Sequence, residues 1–232
     1  MRGLVAALLA AAGGVAAPAG APAPTAAAAA PAPGAAPGAS AAAPDDLIDV
    51  RKLIPDLVLD LRYATKDNFL KTAVYPASAA CYLRRATAVR LARVADALRA
   101  RDGTRLRAFD CYRPHAVQFR MWELFPVRGY VANPAGGSTH NRGGALDVTL
   151  AAPDGTALPM PTPFDEFSRR AWHSYAGGSE QELANRARLK AAMGAEGFLP
   201  VRMEWWHYED PDRAAYGLLD VTFETLARRA AP

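Results

Sequence analysis

Residues 138–150 read STHNRGGALDVTL and predict a chain reversal followed by a core strand. The second half, residues 145–150, has the apolar and β-branched content of a strand, and two glycines introduce it. In a straight strand His140 and Asp147 would lie more than about 20 Å apart and on opposite faces. Because glycines permit the positive φ values of a tight reversal, we expect the two side chains to converge. A structural role for this pair is the alternative.

Residues 204–207 read EWWH, at the far end of a segment, residues 198–205, whose content predicts a final core strand. A Glu and a His three apart can direct an imidazole to a metal and a carboxylate to its water, provided that the backbone turns there. The alternative is a strand end at which the two tryptophans fill the core and the polar pair lies at the edge.

Together the two segments supply two imidazoles, one ligating carboxylate and one spare carboxylate. This set of groups matches a catalytic zinc site, in which three protein ligands leave the fourth coordination position open. Structural zinc sites are instead usually fully coordinated by the protein and rich in cysteine. Zinc in such a site lowers the pKa of its water towards roughly 7, and Glu204 would then take the proton. The same nitrogen and oxygen ligands would also accept cobalt or nickel.

The remaining patterns mix helices and strands without a regular βαβ rhythm. Apolar side chains within residues 91–98 recur at i, i+3, i+4 and i+7, which predicts an amphipathic helix. The predicted helices cover residues 81–100, 114–124 and 179–193, the last beginning with a capping box of Ser179 and Glu182. The predicted strands cover residues 57–61, 105–110, 145–150 and 198–205. We therefore expect an α+β fold: one domain with a central, mostly antiparallel sheet flanked by helices.

The N-terminal part of the chain is compositionally distinct from the rest. A basic start, a short apolar run and small residues give residues 1–21 the layout of a signal peptide. Residues 22–44, rich in Ala and Pro, can bury little surface and predict a disordered linker before a domain at 45–232. An uncleaved anchor is the alternative, but the apolar run falls short of the roughly 20 residues that span a bilayer. We expect an exported protein, periplasmic or secreted, without a membrane span in its mature form.

The charge pattern gives no sign of a nucleic-acid partner. The formal net charge is +4, and the arginines are scattered rather than interleaved with aromatic residues. The sequence leaves the oligomeric state open.

Two cysteines, Cys81 and Cys111, lie in a chain that we expect to be exported, where a disulfide can form. A helix over residues 81–100 and a strand over 105–110 running back beside it would bring the two thiols together. Two separate buried thiols are the alternative.

Residues 138–147 and 204–208 closely resemble the D-alanyl-D-alanine dipeptidases of the vancomycin-resistance type. These belong to the zinc D,D-peptidases, whose fold resembles the Hedgehog signalling domain. Further similar motifs lie at residues 63–69, at 110–114 and, for the substrate loop, within 159–165. The motifs occur in the family's order and cover nearly the whole domain.

The resemblance implies a role for each matching residue. His140, Asp147 and His207 match the ligands of one zinc ion per chain, and Glu204 matches the catalytic base. Arg113 matches the arginine that leans over the zinc site, where a guanidinium could stabilise the oxyanion of a tetrahedral intermediate.

The resemblance also implies how the substrate is bound. Asp165 matches the acidic residue that receives the free ammonium group of the dipeptide, and a carboxylate there would reject blocked chains. Ser138 and Tyr63 match positions that line the substrate pocket. The implied partner is a small D,D-dipeptide.

The first functional hypothesis is zinc-dependent hydrolysis of D-Ala-D-Ala to D-alanine. The cytoplasmic resistance enzymes lack an exported N-terminus, so cell-wall peptide turnover or scavenging suits this chain better than glycopeptide resistance. A D,D-carboxypeptidase or peptidoglycan-trimming peptidase of the same superfamily is the nearest alternative, and Asp165 argues against it. The third hypothesis is a non-catalytic, zinc-containing module that binds wall peptides, which would have no need of Glu204.

Overall fold

The computed structural model describes residues 46–230. The predicted signal peptide, residues 1–21, and the predicted linker, residues 22–44, lie outside the described residues. Within residues 46–230, no helix combines the length and the apolar character that crossing a bilayer requires.

The architecture is α+β, as predicted, and its centre is a five-stranded sheet with the order β2-β4-β5-β7-β6. Only the β2–β4 pair is parallel, so the sheet is mostly antiparallel. A separate two-stranded antiparallel sheet joins β1 to β3. The strands are β1 (Leu47–Asp49), β2 (Val58–Leu59), β3 (Tyr82–Arg84), β4 (Arg105–Asp110), β5 (Ala145–Ala151), β6 (Leu199–Pro200) and β7 (His207–Glu209).

Strand β5 is the centre of the core, since all seven of its residues are buried. Its neighbours β4 and β7 flank it on the two sides, and the pairing places Asp147 opposite Asp110 on β4 and His207 on β7. The sheet register therefore collects three of the polar side chains of the site in one row.

Within the described range, residues 46–230, four α-helices accompany the sheet, and α1 packs against both α3 and β4. They are α1 (Arg85–Asp102), α2 (His115–Leu124), α3 (Glu180–Ala195) and α4 (Phe223–Ala230). The predicted capping box is present, because Ser179 and Glu182 accept hydrogen bonds from each other's backbone N–H groups. Helix α1 continues two residues beyond the predicted end at residue 100, and Gly103 follows it in the left-handed conformation at φ 75°.

Three predicted boundaries were wrong. The helix predicted over residues 81–100 begins at Arg85, because residues 82–84 pair with β1 as strand β3. The strand predicted over 57–61 is reduced to Val58–Leu59 by a 3-10 turn that begins at Arg62. The strand predicted over 198–205 does not exist as one element: residues 201–206 form turns between β6 and β7.

Cys81 and Cys111 form a disulfide that joins the segment before β3 to the segment after β4. Both residues are buried, and neither cysteine is free. The two cysteines are brought together by β3 and β4 rather than by the start of a helix. Backbone hydrogen bonding supports this arrangement, because the Tyr112 N–H donates to the Tyr82 carbonyl at 2.9 Å.

Candidate metal centre and active site

The structure brings His140, Asp147 and His207 together as a buried group whose ligand atoms all lie within 4.8 Å of one another. Nε2 of His140 lies 3.1 Å from Nδ1 of His207 and 3.5 Å from Oδ1 of Asp147. Nδ1 of His207 lies 2.9 Å from the same oxygen. Two nitrogens and one oxygen that converge in this way form the donor set of a divalent cation such as zinc.

In each imidazole one nitrogen, here called the outer nitrogen, points away from the other two ligand candidates. Both outer nitrogens face hydrogen-bond acceptors, which is typical of metal-ligating histidines. Nδ1 of His140 lies 2.7 Å from the backbone carbonyl of Cys111, and Nε2 of His207 lies 3.6 Å from Oε1 of Glu209. A proton on each outer nitrogen leaves the inner nitrogen with its lone pair free for a metal. The residues present therefore fit a metal ion.

Electrostatics within the group also favour a cation. Burial tends to lower the pKa of His207, but the hydrogen bond to Asp147 and the nearby carboxylate of Glu209 outweigh it and raise that pKa to about 10. Burial tends to raise the pKa of Asp147, but the charges and hydrogen bonds of His140 and His207 hold it below its usual range. Carboxylates that stabilise a proton at this position would also stabilise a metal ion there.

A tight turn places His140 over Asp147, as the glycine pair predicts. His140 opens a 3-10 turn that ends at Gly143, whose φ of 69° is left-handed. A Cβ on Gly143 would lie 2.7 Å from a methyl group of Leu47. Gly144 serves differently, because its φ is not left-handed and a Cβ would lie 2.7 Å from the ring of Tyr216. Only the first glycine therefore supplies the positive φ, and the second permits a close approach.

Glu204 lines a cavity that is also lined by His140, Asp147 and His207. The turn before β7 is closed by a hydrogen bond from the His207 N–H to the Glu204 carbonyl at 3.3 Å. The sequence analysis required the backbone to turn between Glu204 and His207, and this turn is present. It brings Oε2 of Glu204 to 3.9 Å from Nδ1 of His207. Burial raises the pKa of Glu204, while the His207 charge opposes that rise. A carboxylate with a raised pKa beside a metal is suited to accept a proton.

Arg113 also lines this cavity, and its guanidinium is held from two sides. Nη1 donates to Oε1 of Gln118 at 2.7 Å, and Nη2 donates to Oδ2 of Asp110 at 2.6 Å. Within residues 46–230 its buried Nε has no hydrogen-bond partner. The ring of Tyr63 lies beneath the guanidinium, 5.2 Å from Cζ. Arg113 is thus a preorganised cation with a donor to spare.

Asp165 lines the same cavity and faces Tyr63. Its Oδ1 accepts a hydrogen bond from the Tyr63 hydroxyl at 3.1 Å, and its Oδ2 accepts from the Phe69 N–H at 3.3 Å. Burial and repulsion by Asp147 raise the pKa of Asp165 to about 8. Its backbone has a φ of 63°, which is uncommon for a residue other than glycine and marks a constrained position.

The cavity that contains these groups has a volume of about 280 Å³, which is near the lower end of the roughly 300–1,000 Å³ usual for ligand pockets. Ser138 lines it too, and its hydroxyl oxygen accepts a hydrogen bond from the His140 N–H at 3.2 Å. The apolar part of the wall is made by Tyr63, Phe69, Met121, Val131, Phe167 and Trp206. The size and shape suit a small substrate with a few polar groups.

Sequence reasoning assigned no individual role to three side chains that support the site. Asp110 and Gln118 hold Arg113, and Glu209 faces His207. Asp110 lies inside the motif at residues 110–114, but its packing against Arg113 depends on the tertiary structure. The alternation of side chains along a strand could have pointed to Glu209, two residues after His207.

The other two histidines lie away from the metal group. Nε2 of His115 lies 2.7 Å from the Pro134 carbonyl, and His173 lines a separate cavity with Lys190 and Arg202. Neither belongs to the group of potential ligands.

Comparisons with known proteins agree with this geometry. A family model described as D-ala-D-ala dipeptidase matches residues 44–228. A D-alanyl-D-alanine dipeptidase from Escherichia coli strain K12 is 36% identical over 174 residues, which cover 75% of this chain and 89% of the relative. Proteins of the same name from Enterococcus faecium and Streptomyces coelicolor are 33% and 30% identical, covering 64% and 74% of this chain and 83% and 96% of the relatives. The chain belongs to the D-Ala-D-Ala dipeptidase family of peptidases.

Proposed function

We propose that this peptidase hydrolyses the free dipeptide D-Ala-D-Ala to D-alanine, with one zinc ion held by His140, Asp147 and His207 and with Glu204 as the general base. One observation carries the proposal. Three buried ligand atoms within 4.8 Å of one another share a cavity with a carboxylate that is not part of the ligand set. A site built only to hold a structural metal has no need of that additional carboxylate.

The bound metal would supply a Lewis acid that lowers the pKa of water to about 7 and polarises the scissile carbonyl. Glu204 accepts a proton from the attacking water and delivers it to the leaving amine. Its raised pKa suits both transfers, because a general base works best when its pKa lies near the operating pH.

Arg113 stabilises the negative charge that develops on the carbonyl oxygen. Its guanidinium is already oriented by Asp110 and Gln118, so it needs no reorganisation as the reaction proceeds. A preorganised donor of this kind is worth about 10²- to 10³-fold in rate.

Asp165 and Tyr63 bind the substrate's ammonium group. An ionised Asp165 offers a buried negative charge in the cavity that also contains the metal group, and the Tyr63 hydroxyl donates a hydrogen bond to one of its oxygens. A peptide whose N-terminus is blocked would bury this charge without a partner, which is costly. The arrangement therefore favours a free dipeptide over a long wall peptide.

Comparison of two substrates tests this specificity. Release of D-alanine is measured from free D-Ala-D-Ala and from a cell-wall pentapeptide that ends in the same two residues. We expect a higher kcat/KM for the dipeptide. A preference for the pentapeptide would identify the chain as a D,D-carboxypeptidase or wall-trimming peptidase instead.

Replacement of the base distinguishes an enzyme from a zinc-containing module that only binds wall peptides. We expect Glu204→Ala to keep its zinc and to lose about 10²- to 10⁴-fold in kcat. Glu123→Ala is a matched control, because Glu123 is exposed and pairs with Arg120 outside the cavity. Turnover by Glu204→Ala at the wild-type rate would show that another group is the base.

Metal identity is tested with chelated protein that is then loaded with zinc, cobalt or nickel. We expect zinc to restore hydrolysis, and we expect cobalt or nickel to restore part of it, since the nitrogen and oxygen ligands suit all three metals. Full activity of chelated, metal-free protein would refute the proposed role of the cation.

We also propose that the protein acts outside the cytoplasm, in cell-wall peptide turnover or scavenging. The disulfide between Cys81 and Cys111 supports this, because disulfides persist in oxidising compartments. Fractionation of the cells that make this protein tests the location. Recovery of active protein in the cytoplasm alone, with both thiols reduced, would contradict it.

A further inference from the structure

We infer that Glu209 is a positioning residue that orients the His207 imidazole for the metal and links the two chain segments that carry the ligating histidines. The inference rests on the proposed zinc site, and it assigns a role to a carboxylate that is neither a ligand candidate nor the proposed base.

The strand geometry places Glu209 behind His207. Both lie on β7, and residues two apart on a strand project to the same face. Nδ1 of His207 faces inward, 2.9 Å from Oδ1 of Asp147, while Nε2 faces outward, 3.6 Å from Oε1 of Glu209. A carboxylate at Nε2 favours a proton on that nitrogen, which leaves the Nδ1 lone pair for the cation.

Both oxygens of the Glu209 carboxylate have a partner. The Thr139 hydroxyl donates a hydrogen bond to Oε1 at 2.7 Å, and Nε of Arg213 forms an ion pair with Oε2 at 2.5 Å. Its side chain is only 19% exposed, so solvent competes little for these bonds. The carboxylate is therefore anchored and is not free to turn away from His207.

Thr139 gives Glu209 its linking role, because it immediately precedes His140 in the chain. A single carboxylate thus lies 3.6 Å from one ligating imidazole and accepts a hydrogen bond from the residue next to the other. The remaining ligand, Asp147, lies on β5 between these two segments and pairs with His207 in the sheet register. Loss of Glu209 would loosen the His207 ring and the turn that carries His140 together.

Both imidazoles have a carboxylate near their outer nitrogen. Nδ1 of His140 lies 3.5 Å from Oδ2 of Asp110 and 2.7 Å from the Cys111 carbonyl, whereas Nε2 of His207 lies 3.6 Å from Oε1 of Glu209. Glu209 is thus the carboxylate that influences the outer nitrogen of His207. A carboxylate partner increases the basicity of a ligating histidine, and removal of such a partner typically weakens metal affinity about 10- to 100-fold.

The test measures zinc affinity by competition with a chromophoric chelator, so it does not depend on turnover. We expect Glu209→Gln, which keeps the shape of the side chain but removes its charge, to bind zinc about 10- to 100-fold more weakly than wild type. Glu196→Gln is the matched control: Glu196 also pairs with an arginine, Arg93 at 2.6 Å, but lies outside the cavity. We expect it to bind zinc like wild type.

A second variant keeps the inference falsifiable if Glu209→Gln folds poorly. Thr139→Val removes the hydroxyl that holds Oε1 but leaves every charge in place, and we expect a smaller loss of zinc affinity in the same direction. Wild-type affinity in both variants, with circular dichroism showing folded protein, would overturn the role of Glu209. Failure of the wild-type protein itself to bind zinc would instead overturn the proposed metal site, and this inference with it.

Discussion

Replacement of Asp165 by Asn tests the recognition of the substrate ammonium group. Asn keeps the size of the side chain and tolerates the left-handed φ of 63° at this position. It loses the negative charge, and its single amide oxygen can accept from only one of the two donors, the Tyr63 hydroxyl and the Phe69 N–H. The fold should survive, while the affinity for a cationic N-terminus should fall.

The size of the effect depends on pH in a defined direction. A hydrogen bond to a charged partner contributes about 1.5–3 kcal/mol, which corresponds to about 10- to 150-fold in kcat/KM. The pKa of Asp165 is raised to about 8, so the carboxylate is present above that pH and is lost as the pH falls. Zinc beside Asp147 offsets part of the repulsion that raises this pKa, so ionisation in the loaded enzyme occurs at or below pH 8.

The assay compares kcat/KM of wild type and Asp165→Asn for D-Ala-D-Ala between pH 6 and 9. We take the ratio of kcat/KM for wild type to kcat/KM for Asp165→Asn at each pH. The titrations of the substrate's amine and of Glu204 affect both enzymes equally and therefore cancel in this ratio. At low pH a neutral Asp resembles Asn and the ratio should approach one. The ratio should rise with pH to a plateau of about 10- to 150-fold. Asp67→Asn, a change at an exposed carboxylate, serves as the control.

The acetylated dipeptide provides a second arm of the same experiment. N-acetyl-D-Ala-D-Ala has no ammonium group, so Asp165→Asn should handle it as well as wild type does, or better. A ratio of about one across the whole pH range, or an equal loss for the acetylated and free dipeptides, would refute the assignment of Asp165.

Three further outcomes follow from the site and the disulfide. Arg113→Lys should keep zinc and lower kcat about 10²- to 10³-fold, measured by steady-state kinetics, because an ammonium cannot reproduce the guanidinium contacts. The double variant Cys81→Ser, Cys111→Ser opens a loop of sequence separation 30 and should lose about 3–4 kcal/mol of unfolding free energy in denaturant titration. Zinc should raise the melting temperature with its concentration by mass action, and His207→Ala should abolish this rise.

The helices were predicted well wherever their signals are local. The capping box of Ser179 and Glu182 acts within one turn, so α3 was located from the sequence. Strand β4 was also predicted with its full length, residues 105–110, from its own composition. The start of α1 was missed, because residues 82–84 are held as a strand by a pairing with β1 that lies more than 30 residues away.

The predicted last strand was wrong, because its signal in the sequence was not specific to a strand. Residues 198–205 have the apolar content of one continuous strand, but Trp205 is buried by tertiary packing, and its backbone N–H donates to the Ala171 carbonyl at 3.0 Å. Burial in a turn and burial in a strand leave the same signal in the sequence, so composition alone could not separate them.

The sequence by itself determined which chemical groups are available: two histidines, an aspartate and a glutamate in two segments, with a glycine pair that permits a reversal. These follow from residue type and short spacing, which are local properties. Only the tertiary structure decided that the groups meet, because the pairing of β5 with β4 and β7 aligns Asp147 with Asp110 and His207 across the sheet. The linking role of Glu209 was decided there too, since its contact with Thr139 joins segments that are 70 residues apart in the chain.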